Sequence, residues 1–329
     1  MGPPAARSRA VNSKVEWFNA HVPWPFRVVI ILILGVLSWA LTMGMLPGVL
    51  SKSSGKADCT WPEILAVPFQ NLAWTATQQY YNWSVKIVER DPKLDLQRVS
   101  APERSYWIQG KGSHLGGRDL LAYLLTEHAS MARANPAERV RRGDIVLDCG
   151  AHIGVFTQEA LRRGAQKVIA IEPDPINLEC LRRNFAPEIA AGRVVVFPKG
   201  VWSEEKVLTL FVGNENSGMN SMLQDQGAGK VEVPVTTIDK MVAELGLSRV
   251  SYIKMDIEGA EREALKGGLN TLRRFRPRIM LDTYHRPDDM QALPAILRAA
   301  HPDYKLTCGP CQPLSLQSDR FVPHVTYYQ

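Results

Sequence analysis

Short apolar runs rich in valine and isoleucine alternate with amphipathic stretches through the second half of the chain. Runs of this kind are typical of strands buried on both faces, and the stretches between them have helical spacing. Alternating strands and helices favour a parallel sheet with right-handed crossovers, so we expect a doubly wound, mostly parallel α/β sheet. The predicted core strands are 145–147, 167–171, 193–197, 250–255 and 278–281, and the predicted helices are 119–132, 155–163, 177–185, 238–245 and one that ends near 272.

Further strands are expected outside this core, at 207–212 and 230–235. The polar loop 214–221 between them either reaches the substrate or cofactor or is an ordinary solvent loop. The C-terminal segment 304–328 is expected to add an antiparallel pair at the edge of the sheet. The glycine-rich loop 110–117 is either a lid over a ligand or a plain connection to the next helix.

An uncharged apolar stretch of 19 residues, 28–46, precedes all of these elements. As a helix rising about 1.5 Å per residue it would be roughly 28 Å long, close to the ~30 Å hydrocarbon core of a bilayer. The polar segment 1–27 is long for the start of a signal peptide, and no small-residue cleavage site follows the stretch. Trp24 and Phe26 suit the membrane interface. We therefore expect a single N-terminal transmembrane helix at 28–46.

The first core strand runs into a glycine-rich turn that contains Asp148, Gly150 and Gly154 and opens a helix. Gly150 lets the backbone turn sharply and approach a ligand, and open α/β sheets bind ligands at this end of their strands. Asp148 stands where the dinucleotide fingerprint has its first glycine. A carboxylate there repels a pyrophosphate but attracts a sulfonium and an amino group. The turn therefore favours S-adenosylmethionine (SAM) over NAD, although a tight turn without a ligand has the same pattern.

The second core strand ends at Glu172, which is followed by Pro173. An acid about 20 residues after the glycine turn is placed to bind a ribose diol. The alternative is that Glu172 caps the helix that opens at Pro175. Because the Asp148 turn lies upstream, we expect Glu172 to bind the ribose of the cofactor.

The segments 146–185 and 253–268 together resemble the FkbM-type methyltransferases, and the resemblance extends from about Arg104 to the C-terminus. It implies a Rossmann-like fold and a SAM-dependent enzyme that methylates a hydroxyl oxygen. It also implies that Asp256 lies at the edge of the cofactor site. The expected cofactor-binding residues are Asp148, Gly150, Ala151, Gly154, Glu172, Pro173 and Asp256.

Four regions follow from these patterns: a polar tail (1–27), the transmembrane helix (28–46), a linker with an amphipathic juxtamembrane segment (47–103), and the methyltransferase domain (104–329). The glycine- and serine-containing stretch 47–60 is expected to be the linker itself. The aromatic-rich segment after it is expected to form an amphipathic helix, which either lies on the bilayer or packs on the domain.

Methyl transfer to an alcohol benefits from a base that removes the hydroxyl proton. Asp256 ends the fourth core strand and His285 follows the fifth, with Glu258 expected behind them. His285 has a suitable intrinsic pKa, but a plain loop position also explains it. Favourable charge in the first turn of a helix is an alternative explanation for Glu258. We take Asp256, His285 and Glu258 as the candidate catalytic residues.

Asp256 and Asp282 end neighbouring strands and provide an alternative, a Mg²⁺ site like that of the catechol O-methyltransferases. The rest of that pattern is not evident, so no metal is expected. Five cysteines in a long chain do not favour a disulfide framework. The segment from Cys308 to Cys311 is expected to be a Gly-Pro turn rather than a redox motif, with a reversible disulfide left open.

The positive charge is concentrated near the N-terminus, because residues 1–99 hold ten Lys/Arg and six Asp/Glu, +4 of the net charge of +6. The rest of the chain has no basic stripe, which argues against nucleic-acid binding. Basic residues before the apolar stretch weakly favour a cytoplasmic N-terminus. Because SAM must be available, we nevertheless expect a domain that faces the cytoplasm. The anchor suggests a glycan, lipid-linked or natural-product-type acceptor, and the competing hypothesis is a membrane-tethered SAM-binding module without catalysis.

Overall fold

The computed structural model describes residues 22–40, 45–110, 116–134, 138–213, 217–225, 229–314 and 318–329. Its helices are α1 (Trp24–Ala40), α2 (Leu46–Ser53), α3 (Trp61–Ser84), α4 (Arg118–Ala134), α5 (Val155–Arg162), α6 (Pro175–Asn184), α7 (Ala186–Ala190), α8 (Ile238–Glu244), α9 (Glu261–Lys266), α10 (Leu269–Phe275) and α11 (Asp289–Ala300). Its strands are β1 (Lys86–Asp91), β2 (Leu96–Ser100), β3 (Ser105–Gln109), β4 (Ile145–Cys149), β5 (Lys167–Ile171), β6 (Val194–Phe197), β7 (Gly200–Val201), β8 (Lys206–Phe211), β9 (Lys230–Thr236), β10 (Tyr252–Met255), β11 (Arg278–Asp282), β12 (Leu306–Cys308), β13 (Cys311–Pro313), β14 (Phe321–Pro323) and β15 (Val325–Tyr328).

Seven strands form the central sheet, in the order β12-β15-β11-β10-β4-β5-β6. Five adjacent strands of this sheet, β11, β10, β4, β5 and β6, are parallel to one another. At the other edge, β15 pairs antiparallel with both β11 and β12. The five predicted core strands are all present, and so is the predicted antiparallel pair at the edge. A mixed α/β fold with a parallel-rich central sheet is therefore confirmed.

Helices cover both faces of this sheet. Successive residues of a strand point to opposite faces. Leu147 and Ile169 belong to one buried cluster, which they share with residues of α8 to α11. Val146 and Val168 belong to a second cluster, which includes residues of α4, α5 and α6. Because both faces are buried, the strands are continuous apolar runs rather than alternating ones.

Smaller sheets flank the central one. The predicted strands near 207–212 and 230–235 are β8 and β9, which pair antiparallel and extend to β7. Strands β1 to β3 form an antiparallel sheet ahead of α4. Leu96 and Ile108 of that sheet share a buried cluster with Leu121 of α4 and with Ile153 beside the glycine turn. The sheet therefore packs directly on the region that forms the site.

The predicted transmembrane helix at 28–46 is not found in this form. The described part of α1 has 17 residues, Trp24–Ala40, and residues 41–44 lie outside the described part of the chain. Leu46, the last residue of the predicted span, instead begins α2. Among the residues that the structure describes, no helix is both long enough and apolar enough to cross a membrane.

The amphipathic helix expected after the linker is present as α3. Trp74 packs edge-on against Tyr123 of α4, with 5.6 Å between the ring centroids, so α3 lies on the domain. Phe69 contacts Trp39 of α1, with 5.5 Å between the ring centroids. Other large apolar side chains of the helix stay exposed, such as Leu72 at 53% and Trp83 at 82%.

The predicted linker 47–60 is more ordered than its composition suggests. Half of it, residues 47–53, lies in α2, where Pro47 occupies the first turn and forgoes no helical hydrogen bond. Cys59 then forms a disulfide with Cys311. These cysteines are 252 residues apart, so no local spacing could predict their pairing. Gly309 and Pro310 connect β12 to β13, as the expected Gly-Pro link does, but the disulfide left open between Cys308 and Cys311 is not formed: Cys311 is bridged to Cys59, and Cys308 is a free thiol.

The single helix predicted to end near residue 272 is two helices, α9 and α10, separated at Gly267 and Gly268. A Cβ atom on Gly267 would overlap the carbonyl oxygen of Trp202. The contact explains why residue 267 is glycine, and the Gly267-Gly268 pair is a local signal for the break that helical periodicity alone did not predict.

Candidate active site

A cavity of about 450 Å³ opens where β4, β5 and β10 end, a size typical of small-molecule sites. The turns after these strands form its walls, together with side chains of α4 and a short 3₁₀ turn, Ser217–Met219. Five of the predicted cofactor-binding residues line it, whereas Asp148 and Gly154 do not. The five are Gly150, Ala151, Glu172, Pro173 and Asp256.

Gly150 allows the turn after β4 to lie directly against the turn after β10. Its φ is +75°, a conformation that favours glycine. A Cβ atom there would overlap the carbonyl oxygen of Asp256. The close approach to the backbone of Asp256 therefore requires glycine here, and the expected approach to a ligand stays a prediction, since Gly150 also lines the cavity. At Gly154 a Cβ atom would meet the ring of Phe185, so that glycine serves core packing.

Asp148 is fully buried and outside the cavity lining. Its Oδ2 accepts a 2.6 Å hydrogen bond from Thr157 Oγ1, and its Oδ1 lies 3.8 Å from Lys254 Nζ. Burial raises the pKa of Asp148, while Lys254 and Thr157 act in the opposite direction. Lys254 thus supplies the positive charge that we expected the cofactor to bring to Asp148.

Sequence reasoning missed Lys254, which is only 4% exposed and lines the cavity. Its Nζ donates a 3.0 Å hydrogen bond to the carbonyl oxygen of Gly150 and lies 3.6 Å from Asp256 Oδ2. Burial alone would lower the pKa of Lys254, but the carboxylates of Asp256 and Asp148 raise it. A lysine inside an otherwise apolar strand was the available signal, because a buried lysine needs acidic partners.

Glu172 lies at the end of β5 and is 5% exposed. Its carboxylate accepts hydrogen bonds from the backbone N–H groups of His152 (2.9 Å) and Asp174 (3.0 Å). Burial raises the pKa of Glu172 to about 7, and the neighbouring Asp174 carboxylate adds to the shift. Asp174, not Glu172, caps α6, since it accepts hydrogen bonds from the N–H groups of Ile176 and Asn177. The capping alternative for Glu172 is therefore excluded.

His152 is a second residue that sequence reasoning missed. Its Nε2 lies 2.7 Å from Ser217 Oγ, which ties the 3₁₀ turn to the glycine turn. Burial, reinforced by Lys254, lowers the pKa of His152 to about 4, so the ring is neutral. Among the described residues of the polar loop, Ser221 also reaches the site, where its Oγ donates a hydrogen bond to the carbonyl oxygen of Glu258.

Parts of both loops considered from the sequence lie outside the described residues. For the polar loop these are residues 214–216, and for the glycine-rich loop they are residues 111–115. The lid hypothesis for the glycine-rich loop therefore stays a prediction.

The three candidate catalytic residues come together at one side of the cavity. His285 Nε2 lies 3.7 Å from Asp256 Oδ1 and 3.6 Å from Glu258 Oε2. Its Nδ1 lies 3.0 Å from Oε1 of Glu261, whose side chain is fully buried. Asp256 and Glu258 line the cavity and His285 does not, so His285 rather than Glu258 lies behind the other two.

Charge in this cluster is unevenly distributed. Burial would lower the pKa of His285, but the carboxylates of Glu261, Glu258 and Asp256 raise it well above its ordinary value. Burial would raise the pKa of Asp256, but Lys254 and His285 lower it. Burial raises the pKa of Glu258 to about 8. His285 therefore carries a proton at neutral pH and Asp256 is ionised, whereas Glu258, with a pKa of about 8, is largely protonated there.

Asp282 does not join Asp256 at the cavity. It is 1% exposed, does not line the cavity, and has His324 Nε2 at 4.0 Å. Burial raises the pKa of Asp282 well above its ordinary value. The catechol-type pairing of Asp256 with Asp282 is therefore corrected: the residues with spacing suited to a metal ion are Asp256, Glu258 and His285.

Residues 148–305 match the family model of the Methyltransferase FkbM domain. Three curated relatives have similar identities. They are 31-O-demethyl-FK506 methyltransferase FkbM of Streptomyces tacrolimicus (28% identity, 39% of this chain and 60% of that protein), Methyltransferase sdnD of Sordaria araneosa (28%, 37% and 59%) and 2-O-methyltransferase NoeI of Sinorhizobium fredii (27%, 40% and 60%).

The chain spans about 60% of the length of these relatives. Among solved structures, Methyltransferase FkbM from Methylobacillus flagellatus KT aligns with a TM-score of 0.44 and 20% identity, over 82% of this chain and 56% of that one.

Proposed function

We propose that the chain is a SAM-dependent O-methyltransferase of the FkbM type, because residues 148–305 match the Methyltransferase FkbM domain and the curated relatives include 31-O-demethyl-FK506 methyltransferase FkbM. The acceptor that we propose is a hydroxyl group of a glycan, a lipid-linked molecule or a natural product. One observation carries the proposal: a single cavity has Glu172 on one wall and the Asp256 and Glu258 carboxylates on another. A cofactor and an acceptor bound there would share one enclosed space.

The residues present fit SAM. The Glu172 carboxylate accepts hydrogen bonds from backbone amides and faces the cavity, so its remaining lone pairs can accept hydrogen bonds from ribose hydroxyls. Gly150, Ala151 and Pro173 line the same part of the cavity. When bound, SAM supplies an activated methyl group on a sulfonium.

The chain's own residues then have two tasks. The cavity walls align the acceptor oxygen with the methyl group, and alignment of this kind is worth about 7–11 kcal/mol of the barrier. The ionised Asp256 carboxylate accepts the hydroxyl proton, which contributes roughly 10²–10⁴-fold to the rate; Glu258, whose pKa is raised to about 8, can do so only in its ionised fraction. His285, held as a cation behind both residues, favours their ionised forms.

We also propose membrane association through the segment 28–46, with a cytoplasm-facing domain. The support is that α1 exposes large apolar side chains, among them Ile31 at 63% and Leu32 at 61%. The Cys59–Cys311 disulfide weighs against the orientation, since the cytosol keeps thiols reduced. The orientation is tested by labelling the Trp83→Cys variant with a thiol reagent that does not cross membranes, with the parent chain as the reference. We expect the introduced cysteine to be labelled only after cell lysis; labelling in intact cells would contradict the orientation.

The enzymatic proposal is tested by transfer of a labelled methyl group from SAM to a panel of hydroxylated acceptors by the full chain in detergent. We expect turnover that falls about 10²–10⁴-fold in Glu258→Gln and Asp256→Asn, with SAM affinity close to that of the parent in Glu258→Gln. Glu263→Gln is the matched control, because Glu263 pairs with Lys266 on α9. Unchanged turnover in both carboxylate variants would overturn the assignment of the base.

A further inference from the structure

His285 has one ring nitrogen that makes no hydrogen bond although it is enclosed. The side chain is 7% exposed, and Nε2 is a buried polar atom without a hydrogen-bond partner. It points between Asp256 Oδ1, at 3.7 Å, and Glu258 Oε2, at 3.6 Å. These separations exceed the 2.7–3.2 Å of an ordinary N–H···O hydrogen bond. The three atoms are therefore close to one another without direct contact.

The same separations suit atoms that share a metal ion. With bonds of about 2.0–2.2 Å to nitrogen and oxygen, two ligand atoms on one ion cannot lie more than about 4.4 Å apart. The donor atoms of Asp256, Glu258 and His285 all lie within 4.8 Å of one another, so small side-chain rotations bring all three onto one ion.

Glu261 completes a pattern common at metal centres. Its Oε1 lies 3.0 Å from His285 Nδ1 and also accepts a 3.0 Å hydrogen bond from the N–H of Ile257. A histidine that ligates a metal through one nitrogen typically donates its other N–H to a carboxylate, which fixes the tautomer and the orientation of the ring. Glu261 therefore holds His285 with Nε2 directed at the other two donors.

We propose that Asp256, Glu258 and His285 bind one divalent transition-metal ion, Mn²⁺ or Zn²⁺. One imidazole nitrogen and two carboxylate oxygens favour these ions over Mg²⁺ and Ca²⁺, which prefer oxygen ligands alone. A histidine ligand binds in its neutral form, so the ion displaces the proton that the surrounding carboxylates otherwise hold on the ring.

The position of this site gives the ion a role in the proposed function, on which this part of the inference rests. Asp256 and Glu258 line the cavity, so coordination positions not used by the protein face the acceptor. Three protein ligands with open positions are the arrangement of catalytic rather than structural sites. The ion would bind and orient an acceptor that presents one oxygen atom or two neighbouring ones.

The test is metal binding by the full chain in detergent after chelator treatment. Mn²⁺ is followed by electron paramagnetic resonance, Zn²⁺ by calorimetry, and Mg²⁺ is the comparison. We expect one Mn²⁺ or Zn²⁺ per chain, at least 100-fold weaker binding in His285→Ala and Glu258→Gln, and 10–100-fold weaker binding in Glu261→Gln. His301→Ala is the matched control, because His301 also has an acidic neighbour, Asp303, at 4.0 Å.

Absence of stoichiometric Mn²⁺ or Zn²⁺ binding, or binding that survives in both His285→Ala and Glu258→Gln, would overturn the metal site. If His285→Ala does not fold, Glu258→Gln alone decides, because it preserves the shape of the side chain. Calorimetry with SAM on the same samples separates the two proposals. Variants that lose metal binding but still bind SAM support the metal site independently of the proposed function. A parent chain that binds metal but no SAM contradicts only the proposed function.

Discussion

Glu172 and Asp256 end two strands on either side of β4, yet the protein stabilises the two carboxylates differently. Glu172 is stabilised by backbone N–H groups, those of His152 and Asp174. Asp256 has two cationic neighbours, with Lys254 Nζ at 3.6 Å and His285 Nε2 at 3.7 Å. The first carboxylate has its pKa raised to about 7, and the second has its pKa lowered.

This difference matches the roles that we propose. Peptide dipoles partly offset burial and leave Glu172 free to accept hydrogen bonds from a neutral diol. Full positive charges keep Asp256 ionised beside the acceptor, where a proton or a metal ion must be bound. The protein thus separates a recognition carboxylate from a reactive one by the kind of partner each receives. The predictions below test that separation.

Removing Lys254 should have the largest effect. Lys254→Met leaves the buried Asp148 and the partly buried Asp256 without their shared cation, and loss of one partner of a buried ion pair typically costs about 3–5 kcal/mol. Chemical denaturation at pH 7 measures the free energy of unfolding. Lys240→Met is the control, because Lys240 pairs with Glu205 on the surface, and it should change stability little. Equal losses of stability in the two variants would contradict the assignment of Lys254 as the buried cation that Asp148 and Asp256 share.

The titration of Glu172 gives a pH signature in stability. The pKa of Glu172 is raised from 4.5 to about 7 on folding, so between these pH values the folded chain retains a proton that the unfolded chain has lost. Stability therefore falls as pH rises through this window, by up to about 3 kcal/mol. Denaturation of parent and Glu172→Gln at pH 5 and pH 8 measures it. The variant should lose less stability over the interval, and parallel pH dependences would contradict the assignment.

Substitution of two glycines that both have a left-handed backbone distinguishes the cost of backbone strain from the cost of a close contact. Gly150 and Gly143 have φ of +75° and +85°, but only Gly150 lies against another atom, the carbonyl oxygen of Asp256. Gly150→Ala should therefore destabilise the protein by about 1–3 kcal/mol more than Gly143→Ala, the increment expected of overpacking. Thermal or chemical denaturation of both variants measures the difference. Equal losses of stability in the two variants would show that the contact between Gly150 and Asp256 adds no cost beyond backbone strain.

Local sequence patterns predicted the framework of the site better than its electrostatics. The strands are buried on both faces, so they appear as apolar runs, and Glu172 follows directly from the end of one run. The roles of Lys254 and Glu261 depend on partners brought by other elements: Asp148 lies on β4, and His285 lies beyond β11. A lysine in a strand and a glutamate at a helix start each have ordinary explanations until those partners are seen.

A long-range contact accounts for another difference. The Cys59–Cys311 disulfide joins residues 252 positions apart and leaves no local pattern. The break between α9 and α10 does have a local signal, the pair Gly267-Gly268, which the helical periodicity alone did not predict. The glycine turn was predicted correctly as a turn, but the sequence did not predict that Gly150 also accommodates the carbonyl oxygen of Asp256.

Binding of SAM to the full chain tests the central claim most directly. Calorimetric titration at pH 6 and pH 8, beside NAD, should show SAM alone binding. If the ionised Glu172 is the binding form, the affinity should rise up to about tenfold over this interval, because the pKa is about 7. Glu172→Gln should bind more weakly and without that pH dependence. A folded chain that binds no SAM, or binds NAD equally well, would contradict the account.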